Sequence, residues 1–385
     1  MTFGALALIV VAGLLGPALA LRSVWHLPVV LGELVAGIVL GPTVLSWVHA
    51  ANPTWTFLAD IGFALVMFVA GSHVPARDPQ LRRGIRLGLP RAVGVGAVSV
   101  VIAVVVNAVF HTGHTSLYAV LLASSSAALV LPIIDSLHLS GPAVLQLLPQ
   151  VAVADAACII ALPLVIQPAR AGRAALGALA VIACAAALFV ILRQGERTGA
   201  RVRLHKISEK RQFALELRIQ LAILFALAAL ATLTHVSIML AGFSFGLAMA
   251  AVGEPRRLAK QLFALTEGFF GPLFFVWLGA SLNLRDLVHH PSYIGLGLAL
   301  GVGAVVAHAA MRFSGQPVPA GVLAAAQLGV PVAATTLGTQ LHLLRPGEGP
   351  AIVLGALVTI AASVLAGSRL AGRGTTAPAA RVGTT

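Results

Sequence analysis

Apolar residues fall along this chain in long blocks, separated by short connectors that carry charge or Pro, Gly and Asn turns. A hydrocarbon core of ~30 Å takes about 20 apolar residues of α-helix. Thirteen blocks have that length, at 2–21, 27–48, 55–74, 87–110, 116–137, 143–167, 174–192, 212–233, 237–252, 262–282, 293–313, 318–341 and 352–370. The pattern predicts an all-α integral membrane protein of about thirteen transmembrane helices.

Composition agrees with the pattern. Of 385 residues, 59% are hydrophobic and 10% charged, whereas soluble domains carry about 25% charged residues. A soluble enzyme is excluded. No phosphate-binding GKS/T loop or metal-ligand spacing occurs, so neither enzymatic chemistry, a metal nor a cofactor is expected. Cys158 and Cys184 both lie in apolar blocks and cannot make a disulfide framework.

The chain carries 25 Lys+Arg against 12 Asp+Glu. In a polar protein that surplus suggests nucleic acid; between apolar blocks it sets membrane orientation instead. Connectors after odd-numbered blocks hold 19 basic residues and those after even-numbered blocks hold 4. The imbalance predicts a multi-pass protein of the cytoplasmic membrane, with the N-terminus outside and the C-terminus in the cytoplasm. Ala18-Leu19-Ala20 mimics a signal-peptide cleavage site, but no basic residue precedes it, so the block is read as a first span.

The long basic connector 193–211 divides the pattern into a first six-helix repeat (1–168), a linking helix with the connector (169–211) and a second six-helix repeat (212–370), followed by a Gly/Ala/Thr-rich tail (371–385) read as disordered. The two repeats enter the membrane from opposite sides. Inverted repeats of this kind build secondary transporters, whose sites lie near the midplane.

With so few acids, each embedded one is a candidate for function. Asp155 lies in the middle of the sixth block, with no basic residue within a helical turn. Loss of water favours the neutral form of a carboxylate, so a proton and a cation can compete for it. The competing reading is a protonated Asp serving as a hydrogen-bond donor in helix packing. Pro149 should loosen the same helix.

Two further blocks look broken, the fifth at Ser124-Ser125-Ser126 with Pro132 following, and the twelfth at Gln327 to Pro331 with Thr335 and Thr336 following. They hold equivalent places in the two repeats. A crossed pair of broken helices beside Asp155 would offer the hydroxyl and carbonyl oxygens that a small hard cation requires; ordinary packing of small residues is the alternative. His308, inside the eleventh block, is either a proton relay or a packing donor. Glu33, Asp60 and Glu267 are read as pairing, capping or vestibule groups, and His73 as interfacial. Glu216 and Arg218, two apart, face different sides of their helix.

Several segments resemble the monovalent cation/proton antiporter superfamily, in particular its Kef-type and bacterial sodium/proton exchanger branch. Gly32-Glu33-Leu34-Val35-Ala36-Gly37-Ile38-Val39-Leu40-Gly41-Pro42 resembles that family's second span, and Asp60-Ile61-Gly62 with Phe68-Val69-Ala70-Gly71 its third. Ser124-Ser125-Ser126-Ala127 with Leu131-Pro132-Ile133 is similar to its broken helix, Gly242-Phe243-Ser244-Phe245-Gly246 to its ninth span, and Gly271-Pro272-Leu273-Phe274-Phe275 to its tenth.

The resemblance implies exchange of H+ for Na+ or K+ at Asp155, and a homodimer in which a mobile core shifts like an elevator. The chain departs from the pattern at Ala154, where members often hold a second polar residue, in the eleventh block, which lacks a Lys, and at Gly329-Val330-Pro331-Val332 in the twelfth. With one carboxylate left to carry protons, electroneutral exchange is expected. An exporter of a small organic solute and a non-transporting divergent member remain as alternatives.

Overall fold

The computed structural model describes residues 1–21, 29–72, 79–137, 139–166, 171–198, 214–234, 236, 238–253, 256–282, 284–285, 287 and 291–374. His73, most of the basic connector and the tail from 375 on lie outside them. Among the described residues the chain is helical, with no strand. The helices are α1 (Phe3–Gly13), α2 (Leu15–Ala20), α3 (Val29–Leu40), α4 (Pro53–Ser72), α5 (Pro79–Phe110), α6 (Thr115–Ala123), α7 (Ala127–Ser136), α8 (Pro142–Ile166), α9 (Ala171–Arg197), α10 (Leu215–Leu233), α11 (Ile238–Val252), α12 (Arg256–Leu265), α13 (Gly271–Ser281), α14 (Pro291–Ala309), α15 (Val318–Ala324), α16 (Gly329–Gln340) and α17 (Glu348–Gly374).

Ten stretches among the described residues are long and apolar enough to cross a membrane, with α1–α2, α12–α13 and α15–α16 each counting as one. Helices α3 and α11, of 12 and 15 residues, are shorter, and α6 and α7 divide the fifth block between them. The second block was expected to run to 48 but its helix stops at Leu40. Pro42 disfavours helical geometry at Gly41, and the N–H groups of Trp47 and Val48 fold back onto the Leu40 carbonyl. A π-helical turn, Thr266–Phe270, joins α12 to α13. Pro272 follows it without a backbone donor, and the Gly271 N–H reaches back to the Thr266 carbonyl.

The helices sort into two bundles. In one, α4 packs along α11 and α3 along α13, with α1, α2 and α10 outside them. In the other, α5 packs on α6 and α8, α14 on α17, and both α15 and α16 on α17. Helix α9 rests mainly on α11 and also touches α8. Each bundle therefore takes helices from both halves of the chain.

Glycine sets the closest approaches in the first bundle. A Cβ on Gly246 would meet the Phe68 carbonyl and one on Gly71 the Phe243 carbonyl; Gly37 and Gly279 stand in the same relation to Val276 and Leu34. Gly246 and Gly37 belong to Gly242-x-x-x-Gly246 and Gly37-x-x-x-Gly41, the spacing by which apolar helices approach backbone to backbone, and they face Gly71 and Gly279.

Candidate functional site

The two broken helices meet in the second bundle. Helix α6 ends where Ser124 turns extended (φ −70°, ψ 151°), and α7 begins at Ala127. Consecutive serines favour such a break, because their hydroxyls offer the backbone an alternative to the helical ladder; Ser124 Oγ donates to the Leu121 carbonyl at 2.8 Å. The break thus falls at the serines, and Pro132 lies within α7. Helix α15 ends at Ala324 and α16 begins at Gly329, two residues before Pro331, in the turn where a missing N–H costs nothing.

Each break holds the other's loose carbonyls. Gln327 Nε2 donates to the Ser124 carbonyl at 3.2 Å, and Ser125 Oγ donates to the Ala324 carbonyl at 2.6 Å. The Gln327 N–H is taken by Thr359 Oγ1 of α17 at 3.3 Å.

Asp155 lies in mid-α8, only 4% exposed. Its Oδ2 accepts the N–H of Ala127, the first residue of α7, at 3.0 Å. The carboxylate therefore caps a half-helix at the crossing, where the amide end of α7 supplies a fixed positive pole. One oxygen is engaged by that amide, and the other is the atom a proton or cation can take. Cys158, one turn on, is buried too.

His308 is buried against the same crossing. Its Nδ1 lies 2.9 Å from the Ala304 carbonyl, which can only accept, so Nδ1 carries a hydrogen. Nε2 then faces Ser125 Oγ at 3.3 Å. Ser126 is also buried here, at the start of α7. The structure thus gathers Asp155, Ser124, Ser125, Ser126, Gln327 and His308. Thr335 and Thr336 lie farther along α16, lining a cleft of about 490 Å³ with Trp277, Thr56 and His49.

The remaining embedded charges stand apart from the crossing. Glu33 on α3 is buried and electrostatically close to Glu267 on the π turn, and Asp60 on α4 is half-buried. Glu216 is buried while Arg218 is exposed, as their spacing predicted. Among the described residues, no three of His, Cys, Asp and Glu gather as a metal site would require.

Sequence reasoning missed two polar clusters. Glu348, fully buried at the start of α17, accepts from Tyr118 Oη at 2.6 Å and from the Arg345 N–H at 2.9 Å, and lies 2.6 Å from His114 Nδ1. Buried Arg91 of α5 donates to Gln146 Oε1 at 3.0 Å and to Ser314 Oγ at 3.1 Å. The available signals were the scarcity of acids, which marks Glu348, and the isolation of Arg91 inside an apolar block.

Comparison with known proteins gives this arrangement a family. The chain is 22% identical over 375 residues to the putative Na(+)/H(+) antiporter YjbQ of Bacillus subtilis (strain 168), covering 92% of this chain and 60% of that relative's length. The fold superposes on the sodium proton antiporter MjNhaP1 from Methanocaldococcus jannaschii with a TM-score of 0.68 at 16% identity, covering 96% of this chain and 97% of that one. The family profile described as sodium/hydrogen exchanger, transmembrane, matches residues 6–371. A multi-pass helical chain with two broken helices crossing at a buried carboxylate, and matched over nearly its whole length, belongs to the sodium/hydrogen exchanger family.

Proposed function

We propose that this chain is a secondary-active antiporter that exchanges H+ for a monovalent cation, Na+ or K+, across the cytoplasmic membrane by alternating access. The observation that carries the reading is the Asp155 carboxylate, buried at the helix crossing with one oxygen on the Ala127 amide and one left for an ion. A single site that holds either a proton or a cation, but not both, couples the two fluxes once it faces each side in turn. The names of the Bacillus relative and of the Methanocaldococcus structure, a Na(+)/H(+) and a sodium proton antiporter, support H+ and Na+ as the ions.

Carbonyl and hydroxyl oxygens at the crossing, from Ser124, Ser125, Ser126 and Gln327, help strip the cation of water. One carboxylate exchanges one charge for one charge, so transport is electroneutral. Thirteen crossings, the N-terminus outside and a homodimer complete the reading, with the bundle that carries Asp155 shifting against the other.

Proteoliposomes with a trapped pH dye test it. Na+, K+ or Li+ should collapse an imposed pH gradient in the wild type and fail to do so in Asp155→Asn. If no cation acts, a solute exporter or a non-transporting member takes the antiporter's place; if the Asn variant matches the wild type, Asp155 is not the carrier. A shift of the exchange equilibrium under a clamped membrane potential would disprove electroneutrality.

A further inference from the structure

Hydroxyls in helices have a default partner, the carbonyl three or four residues back. This chain uses it repeatedly: Thr232 donates to the Ala228 carbonyl at 3.0 Å, Thr234 to Leu230 at 2.8 Å, Thr359 to Ala356 at 2.7 Å and Ser281 to Leu278 at 2.7 Å. Thr335 and Thr336 do not. Both Oγ1 atoms are buried and without any hydrogen-bond partner, on a residue that is only 4% exposed in the case of Thr335. An unpaired buried hydroxyl costs free energy, so two in succession on one helix call for a ligand.

The cleft they line supplies its place and chemistry. It has a volume of about 490 Å³, room for an ion with several waters at roughly 30 Å³ each. Thr335 Cγ2 packs toward Gly349, and a turn of either side chain about χ1 toward the cleft would give its hydroxyl a partner there. Among the described residues, His49 is the one titratable side chain that lines the cleft, and the rest of the polar lining is hydroxyl and amide. Hydroxyl oxygens are ligands for hard cations. Helix α16 then leads from the cleft to the crossing, with Thr335 six residues beyond Gly329, about 9 Å along the axis.

We propose that Thr335 and Thr336 form a waiting station for the transported monovalent cation, held there partly hydrated before it reaches Asp155. The proposal rests on the antiport reading and adds a second, neutral site on the cation's path. The station sets how readily the cation is captured and takes no part in protonation.

Two measurements test it. In proteoliposomes, Thr335→Val and Thr336→Val should each raise the apparent KM for the cation about three- to tenfold, as loss of one hydrogen-bonding group predicts, with kcat and the pH profile of exchange unchanged. Thr335→Ser and Thr336→Ser should keep the wild-type KM. An unchanged KM in a Val variant that still exchanges overturns the station; so does an equal loss in the Ser variants, which would make the role one of shape.

The second measurement needs no transport. In a Cys184→Ala background, Thr339→Cys, exposed in the same cleft, should be labelled by a thiol reagent more slowly when the cation is saturating, and labelling indifferent to cation overturns the station. If the wild type exchanges no ion yet the cation still protects Thr339→Cys, the antiport reading fails and the station stands.

Discussion

Single side chains at the crossing are tied by bonds that leave few atoms spare, and this makes their removal predictable. Ser125 has one proton and two acceptors near it, the Ala324 carbonyl and His308 Nε2. Ser125→Ala strands the carbonyl at a helix end and should cost about 1–3 kcal/mol, read as a lower melting temperature of the detergent-purified protein. Glu348 is the more severe case. Glu348→Ala leaves Tyr118 Oη and the Arg345 N–H without their acceptor in the interior, a loss of roughly 3–5 kcal/mol by analogy with broken buried pairs. Glu348→Gln should lose less, because one oxygen survives. A Glu348→Ala protein that melts with the wild type would show the cluster to be energetically idle. Asp155 was legible from sequence because an acid in mid-block stands alone; Glu348 was not, because an acid beside a turn reads as solvated, and two of its partners, Tyr118 of α6 and His114 just before that helix, lie more than 200 residues away.

Helices meet through features that are partly written in the sequence. The breaks at Ser124–Ser126 and before Pro331 were readable, since local chemistry causes them. Lengths were not: hydropathy ran the second block to 48, where the chain folds back at Leu40, and began the fourth at 87, although α5 starts at Pro79 in a basic stretch that hydropathy cannot score as helix. Gly242-x-x-x-Gly246 was visible as a motif, but its partner α4 was not, because spacing on one helix carries no address. The structure supplies the address. Gly246→Leu would drive a side chain into the Phe68 carbonyl and separate α11 from α4, at about 1–3 kcal/mol or more for overpacking. Gly96→Ala on α5, with nothing within 4 Å of the added methyl, should be neutral within about 0.5 kcal/mol. Size-exclusion profiles of the solubilised proteins should therefore show aggregation for the first and a wild-type peak for the second; equal profiles would mean that the close approach is not needed.

The proposed alternating access asks one more thing of the whole molecule, that the two bundles can slide without breaking what holds each together. Their directed bonds are placed for that. Arg91 to Ser314, Tyr118 to Glu348, Ser125 to Ala324 and Gln316 to Gln150 all close within the bundle that carries Asp155. Thr43 to Leu282 and Trp277 to Ala50 close within the other. Between them lies a seam where Leu31, Leu34 and Leu278 face Leu328, Val332 and Leu357 around a void of about 10 Å³. Hydrocarbon contact of this kind is non-directional, so a rigid shift exchanges one set of apolar contacts for another at small cost. A covalent tie across the seam should then stop transport without unfolding anything. With Leu34→Cys and Val332→Cys, a short bifunctional thiol reagent should arrest cation-driven proton movement in proteoliposomes. Reduction of a cleavable version should restore it. The matching tie inside one bundle, Leu300→Cys with Ala356→Cys, joins residues of α14 and α17 that line a common void and should move as one body. If the cross-seam tie leaves exchange intact, the bundles do not slide at this surface; if the inner tie abolishes exchange as well, the second bundle itself deforms and is not the rigid carrier of Asp155.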